Sequence, residues 1–485
     1  IDATNLYWTQ RSLARRDEVR AAVGEGAAAL AGRIATAPGT DPEIVVVNPL
    51  AFARTELATA VVDTGGEPFA LRDVATGAAV PYQTRPSGEI EFVAEQVPPL
   101  GYRRYRVLAG ASDSWGPAAT TTATSIENDF YRVTVDPSTG AITSIVDKTN
   151  GNRQLVNTAS ATGFNRTVRA DNLTVFFGGA PRSLIHRVPT TSGAAGPVSG
   201  TLTIDYPVSG ARTGSPLARV EIRLYDRLKR IDLVDRMDRT RLQYQVTLSE
   251  HSEHFFAAMP FAIPVGSLET IVDANASAPL RPPLASYLVG PSATAVNNTH
   301  YPTRGVTLRD TGSPFEIQVV SPQVFDYFVG TSVSHNYAPT EATLLAECMV
   351  KQDRTQTGDP GNPDVAFVLE PLENNPSQGY QVYTSQFSIT SGAPRPDSAA
   401  GAFGASVMAP MPTVVAPGGQ AGPLAAASLS FFAVDAPNVE VLAVKRAEFG
   451  DPADVVVRVR ERDGAATNTL LRSAFPVVAA SEATL

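Results

Sequence analysis

Apolar positions follow two periods along the chain. From Ser12 to Ile34, the residues Val19, Val23, Ala27, Leu30 and Ile34 recur at spacings of three and four, which predicts an amphipathic helix whose alanines, such as Ala28 and Ala29, add propensity. One such helix cannot bury its stripe by itself; it needs partner helices or cover from the β structure that follows. After the break at Pro38-Gly39-Thr40 the period falls to two. Short strands are expected at Ile44–Val47, Glu56–Val62, Glu89–Val93 and Tyr102–Val107, the last two separated by Pro98-Pro99-Leu100-Gly101.

The Ser/Thr/Ala/Gly stretch from Ala109 to Thr124 reads as a linker. It leads into "SIENDFYRVTVDPSTGAITSIVDKTNGNRQLV", where Tyr131, Val133 and Val135 alternate with Phe130, Arg132 and Thr134. Asp136-Pro137-Ser138-Thr139-Gly140 supplies the turn, and Gly140 and Gly151 are expected at backbone angles that a side chain resists. Further strands are expected at Leu173–Phe177, Thr201–Tyr206, Ala218–Tyr225, Arg230–Met237, Gln243–Leu248, Phe255–Ile263 and Phe315–Val320. The segment "ARVEIRLYDRLKRIDLVDRMD" alternates around a bend at Asp226-Arg227, as a sheet with one wet face requires. The expected fold is mainly β: a single helix (1–37), a small β domain (38–108), a linker (109–124), a large two-sheet super-sandwich (125–435) and the start of a final β-sandwich (436–485).

Composition narrows the function classes. At 485 residues the chain exceeds one hydrophobic core, and 43% apolar against 18% charged residues favours folded structure over disorder. A net charge of −9 argues against a nucleic-acid surface, which needs clustered cations. The single cysteine, Cys348, allows neither an internal disulfide nor a thiolate metal cluster, and it reads as a small buried hydrophobe. No apolar run approaches the roughly 18 residues of a membrane span. Secretion is left open.

Two stretches concentrate groups able to bind a ligand. "HSEHF" places His251, Glu253 and His254 within four residues; in a strand His251 and Glu253 share a face and His254 points the other way. Zinc takes three or four protein ligands, so these alone do not make a metal site. "VSHNYAP" gives His335, Asn336 and Tyr337, a ring that can stack on a sugar beside two hydrogen-bonding groups. Arg132, Asp147 and Lys148 sit in a strand and a hairpin tip, where structural roles are expected. The ribbon of Arg223, Arg227, Asp232, Asp235, Arg236 and Asp238 is expected to pair across strands on a wet face.

The ordered segments "VVVNPLAFAR", "VPPLGYRRYRV", "IENDFYRVTVDPSTGAITSIVDKTNGNRQLV", "EHFFAAMPFAIP" and "VEVLAVKRAEFGDPADVVVRVRE" resemble the C-terminal half of glycoside hydrolase family 38, the α-mannosidases and their relatives. The resemblance implies the last helix of a bundle, a small β domain, a galactose-mutarotase-like super-sandwich and a final β domain. It also implies that the catalytic carboxylates and one zinc belong to an upstream domain, so no catalytic or metal-binding residue is expected on this chain. His251, Glu253, His335, Asn336 and Tyr337 are the candidate sugar contacts at the active-site rim. The implied partners are that upstream catalytic domain or chain and a carbohydrate substrate; self-association is compatible with the family, and neither nucleic acid nor membrane is expected. Two other readings stand beside this one: a self-contained polysaccharide lyase or hydrolase, and a carbohydrate-binding or structural module.

Overall fold

The structure is a computed structural model that describes residues 2–171, 182–183, 188–207, 218–238, 252–273, 299–300, 304–324, 326–331, 339–352, 365–366, 382–448, 451 and 453–482. The strands expected at Leu173–Phe177 and Gln243–Leu248 lie outside these residues. Elsewhere the alternation becomes sheet, and the protein is mainly β with antiparallel pairing between strands. The chain divides into two compact units, Ile1–Arg15 with Pro117–Pro394, and Arg16–Gly116 with Arg395–Leu485.

The larger unit contains two broad sheets. Strands Thr190–Ala195, Ser199–Tyr206, Ala218–Tyr225, Ile231–Asp238, Val382–Gly392, Phe315–Val320, Val306–Asp310 and Leu268–Val272 follow one another across one of them. The other runs through Arg166–Asp171, Ser252–Phe261, Ala342–Gln352 and Tyr327–Val329. Inward rows from both sheets make one core: Leu202, Ile204, Ile222, Leu224, Ile231, Leu233 and Phe387 from the first, Phe255, Ala257, Met259, Tyr327 and Leu344 from the second. This is the sandwich that period-two patterning specifies, with apolar positions facing between sheets. The hairpin Tyr131–Val135 and Ile142–Asp147 adds Tyr131, Val133, Val135, Ile142 and Ile145 to the same core. Gly140 and Gly151 take φ of +71° and +65°, as the turn chemistry predicts.

In the smaller unit Glu43–Asn48 pairs with Gly101–Ala109, and Arg54–Ala60 with Ile90–Val97. Ile44, Val46, Phe69, Leu71, Phe92, Tyr105 and Val107 form its core. Two further strands come from far along the sequence: Thr413–Ala416 pairs with Glu43–Val46, and Ser428–Ser430 with Gly101–Arg103. The expected boundary at 435 therefore differs from the observed division at 394/395. The cause is local: "TVVA" and "SLS" are short strands whose sequence carries no sign of which sheet they join. The expected linker differs too, since Ala118 and Ala119 are buried and Thr120–Thr121 pairs with Ser125–Glu127.

The helix spans Asp2–Ala31. Near its end Ala31 and the following Ile34 pack with Val45, Tyr102 and Ala416, whereas Val19 and Val23 earlier in the stripe are exposed. A second helix, Asp397–Met408, ends on Arg54, whose Nη1 donates to the carbonyls of Ala409 at 2.6 Å and Ser406 at 3.4 Å. A guanidinium at a helix C-terminus satisfies carbonyls that have no intrahelical partner. Among the described residues no helix is long and apolar enough to cross a membrane.

Candidate functional site

The strand Ser252–Phe261 places successive side chains on opposite faces of its sheet. Phe255, Ala257 and Met259 enter the inter-sheet core, while Phe256 and Ala258 join Val168, Ala170, Phe328 and Leu345 in a second apolar cluster. Alternation puts His254 with Phe256 and Ala258. Its ring lies parallel to Phe256 at 6.4 Å, and Phe256 meets Phe328 edge-on at 5.7 Å.

Beside this aromatic floor sits an acid pair. The register between Ser252–Phe261 and Ala342–Gln352 shifts after Phe255, so Phe256 faces Glu347. His254 Nδ1 lies 2.5 Å from Glu347 Oε1, and the Glu347 N–H donates to the Asp326 carbonyl at 2.8 Å. Glu347 and Asp326 are 4% and 5% exposed, so neither carboxyl is bathed in water. Burial first, then the charge and hydrogen bond of Glu347, push the Asp326 carboxyl well above the usual carboxylate range. This favours the protonated form of Asp326, whose Oδ1 has no partner. The arrangement gathers an imidazole and two carboxyls into one largely buried polar cluster. It does not fit two-carboxylate glycoside cleavage, which needs carboxyls about 5 Å or more apart with the sugar between them.

The zinc implied by the resemblance does not fit these residues. His254 and Glu347 are bonded to each other, and among the described residues no group of three or more His, Cys, Asp or Glu side chains is placed to hold a metal ion.

Of the sequence-predicted sugar contacts, His251, His335, Asn336 and Tyr337 lie outside the described residues. Glu253 is on the strand, in register with Asp171 and Lys351, and its side chain is likewise outside what is described. Sequence reasoning set His254 aside and missed Glu347 and Asp326. The available signal was a lone carboxylate inside each of two apolar runs, "LLAECMV" and "VFDYFVG", where an unpaired charge is costly.

Other polar groups named from the sequence are structural. Asp147 is 0% exposed and accepts from Lys229 Nζ at 2.8 Å, Ser391 Oγ at 2.7 Å and Thr149 Oγ1 at 2.8 Å. Lys148 donates to Glu127 and to the Asn128 carbonyl. The charged ribbon is not uniformly wet, which corrects the expectation for two of its members. Asp232 is buried against Tyr225, Ser388 and Arg230, and Asp235 sits in the inward row with Ile231, Leu233 and Met237.

No protein-family model and no curated protein matches the sequence. Solved structures do. An α-mannosidase from Enterococcus faecalis V583 matches with a TM-score of 0.61 at 13% identity, over 92% of this chain and 53% of its own. A glycosyl hydrolase family 38 protein from Enterococcus faecalis matches with a TM-score of 0.61 at 12% identity, over 92% of this chain and 55% of its own. The chain thus spans about half the length of both. At such identity the likeness concerns architecture, and function has to be argued from sites: the chain has a fold shared with part of a family 38 glycoside hydrolase.

Proposed function

We propose that residues 1–485 are the C-terminal accessory portion of an α-mannosidase-like glycoside hydrolase, supplying scaffold and part of the sugar-facing rim. Hydrolysis belongs to an upstream domain that carries the catalytic carboxylates and the zinc. The observation that supports this reading most is the asymmetry of coverage: nearly the whole of this chain, 92%, overlays little more than half, 53%, of an α-mannosidase. The order of the sequence segments points the same way. On this chain the rim residues are His251, Glu253, His335, Asn336 and Tyr337, and the buried cluster of His254, Glu347 and Asp326 begins one residue from Glu253. The upstream catalytic domain and a carbohydrate are its partners.

The test is enzymatic and additive. Purified residues 1–485 incubated with an aryl α-mannoside are expected to give no turnover. The polypeptide extended upstream by its own coding sequence, supplied with zinc, is expected to hydrolyse the same compound. Turnover at enzyme-like speed by residues 1–485 alone overturns the proposal, as does an inactive extended protein.

A further inference from the structure

Away from the acid pair, the two sheets of the larger unit leave a small cleft that opens to solvent. Its position is set by an exception in the pattern of the strand Ile231–Asp238. Ile231, Leu233 and Met237 face the core, and Asp235 takes the remaining inward position among them. Ser385 stands opposite Asp235 in register on the next strand, in the inward row of Phe387 and Ile389. From the facing side Asn165 reaches in, with Nδ2 donating to Asp235 Oδ1 at 2.9 Å.

These polar groups are left short of partners. Ser385 is 1% and Asn165 7% exposed, yet neither Ser385 Oγ nor Asn165 Oδ1 makes a hydrogen bond. Each unmade bond at a buried site carries a desolvation penalty. Desolvation also pushes the Asp235 carboxyl up to about 7, against the hydrogen bond from Asn165. Val220, Met237, Phe255 and Ala257 give the cleft an apolar wall beside its polar groups. Charge narrows the ligand. Arg166, Arg219 and Arg236 stand at the cleft on one side of the balance and Asp235 on the other, with Arg219 paired to Asp205 at 2.6 Å and Arg236 to Glu221 at 3.5 Å, so an anion meets the carboxyl and a cation meets the guanidiniums.

We propose that this cleft binds a small neutral polyol, its hydroxyls on Asp235, Asn165 and Ser385 and its C–H edge on Met237 and Phe255. A chain of alternating carbon-bound hydrogens and hydroxyls matches both walls. Ser385 donates or accepts as required, Asn165 Oδ1 accepts, and the Asp235 carboxyl offers whichever role the ligand lacks.

Cys348 also lines the cleft and is the only cysteine of the chain, which makes it a reporter. Glycerol, erythritol and xylitol are titrated by calorimetry, with acetate and methylammonium as charged controls, and carbamidomethylation of Cys348 is timed by mass spectrometry at each concentration. At least one polyol is expected to saturate with a dissociation constant of about 10 mM or below and to slow modification of Cys348. Ser385→Ala and Asn165→Gly, the latter compatible with the φ of +54° at that position, are expected to weaken binding roughly tenfold each while urea midpoints confirm folding. Absence of saturation by every polyol, meaning a cleft that holds water only, overturns the proposal. So does binding that is unchanged in both folded variants, or equal binding of acetate or methylammonium.

Discussion

His254 and Glu347 meet Nδ1 to Oε1 at 2.5 Å from neighbouring strands, and burial beside Glu347 raises the Asp326 carboxyl above the usual carboxylate range. A carboxyl held protonated this way has a defined effect on stability. Unfolded, Asp326 ionises near a pH of about 3.9; folded, it retains the proton to well above that. Between the two values the native state binds more protons than the unfolded state, so stability falls as pH rises through the window. Asp326→Asn removes that loss. In urea titrations the variant is expected to gain on the wild type at about pH 8 and to lose that gain at about pH 3; a pH-independent difference contradicts the assignment.

Arg104 and Glu43 form a buried pair in the smaller unit, 5% and 0% exposed, with Nη1 to Oε2 at 3.1 Å. Arg104 also donates to the carbonyls of Ala35 and Ala425, fastening segments from both ends of the sequence. Removing Arg104 leaves the buried Glu43 with only the more distant Arg106, Nη2 to Oε1 at 3.4 Å. Arg104→Met is expected to cost about 3–5 kcal/mol in chemical denaturation, and Glu43→Gln added to it is expected to recover part of that loss. Two independent, additive losses would show that the pair is not coupled.

Gly140 and Gly151 share a left-handed backbone but not a neighbourhood. A Cβ on Gly140 would lie 2.2 Å from the Tyr206 hydroxyl, whereas one on Gly151 meets nothing within 4 Å. Gly151→Ala is expected to cost about 1 kcal/mol through backbone strain alone. Gly140→Ala adds a clash with a buried tyrosine and is expected to cost roughly 2–4 kcal/mol. Thermal midpoints of the two variants make the comparison, and equal shifts contradict the steric account.

Asn128 organises the turn into the large unit. Its Nδ2 donates to the Tyr225 carbonyl at 2.7 Å, and its Oδ1 accepts from the N–H groups of Phe130 and Tyr131 at 3.0 and 2.7 Å. Asn128→Ala leaves three backbone groups short of partners and is expected to cost roughly 2–3 kcal/mol. A change within about 0.5 kcal/mol would mean that water replaces the amide.

What could be seen in the sequence was whatever periodicity encodes. Tyr131, Val133 and Val135 alternate with exposed or half-buried neighbours and were assignable as an inward row; so were the apolar members of "ARVEIRLYDRLKRIDLVDRMD". Asp235 shows the limit. Alternation places it inward, but its charge suggested a wet face, and only the opposing sheet reveals that its surroundings are apolar. Glu347 and Asp326 come from strands adjacent in space yet separated in sequence, so no local pattern joins them to His254. The membership of Thr413–Ala416 in the first sheet is likewise a long-range fact, fixed by partners at Glu43–Val46.

The smaller unit is closed by contacts between residues far apart in this sequence. Thr36 Oγ1 donates to the Pro417 carbonyl across 381 positions, and Gln420 Nε2 to the Ile34 carbonyl across 386. During synthesis the N-terminal strands emerge long before the segments that complete their sheet, leaving an open edge for the time taken to translate everything between. A newly made chain must therefore protect that edge, by chaperone or by rapid folding of the intervening sandwich, and translation stalled before Thr413 would yield an aggregation-prone product.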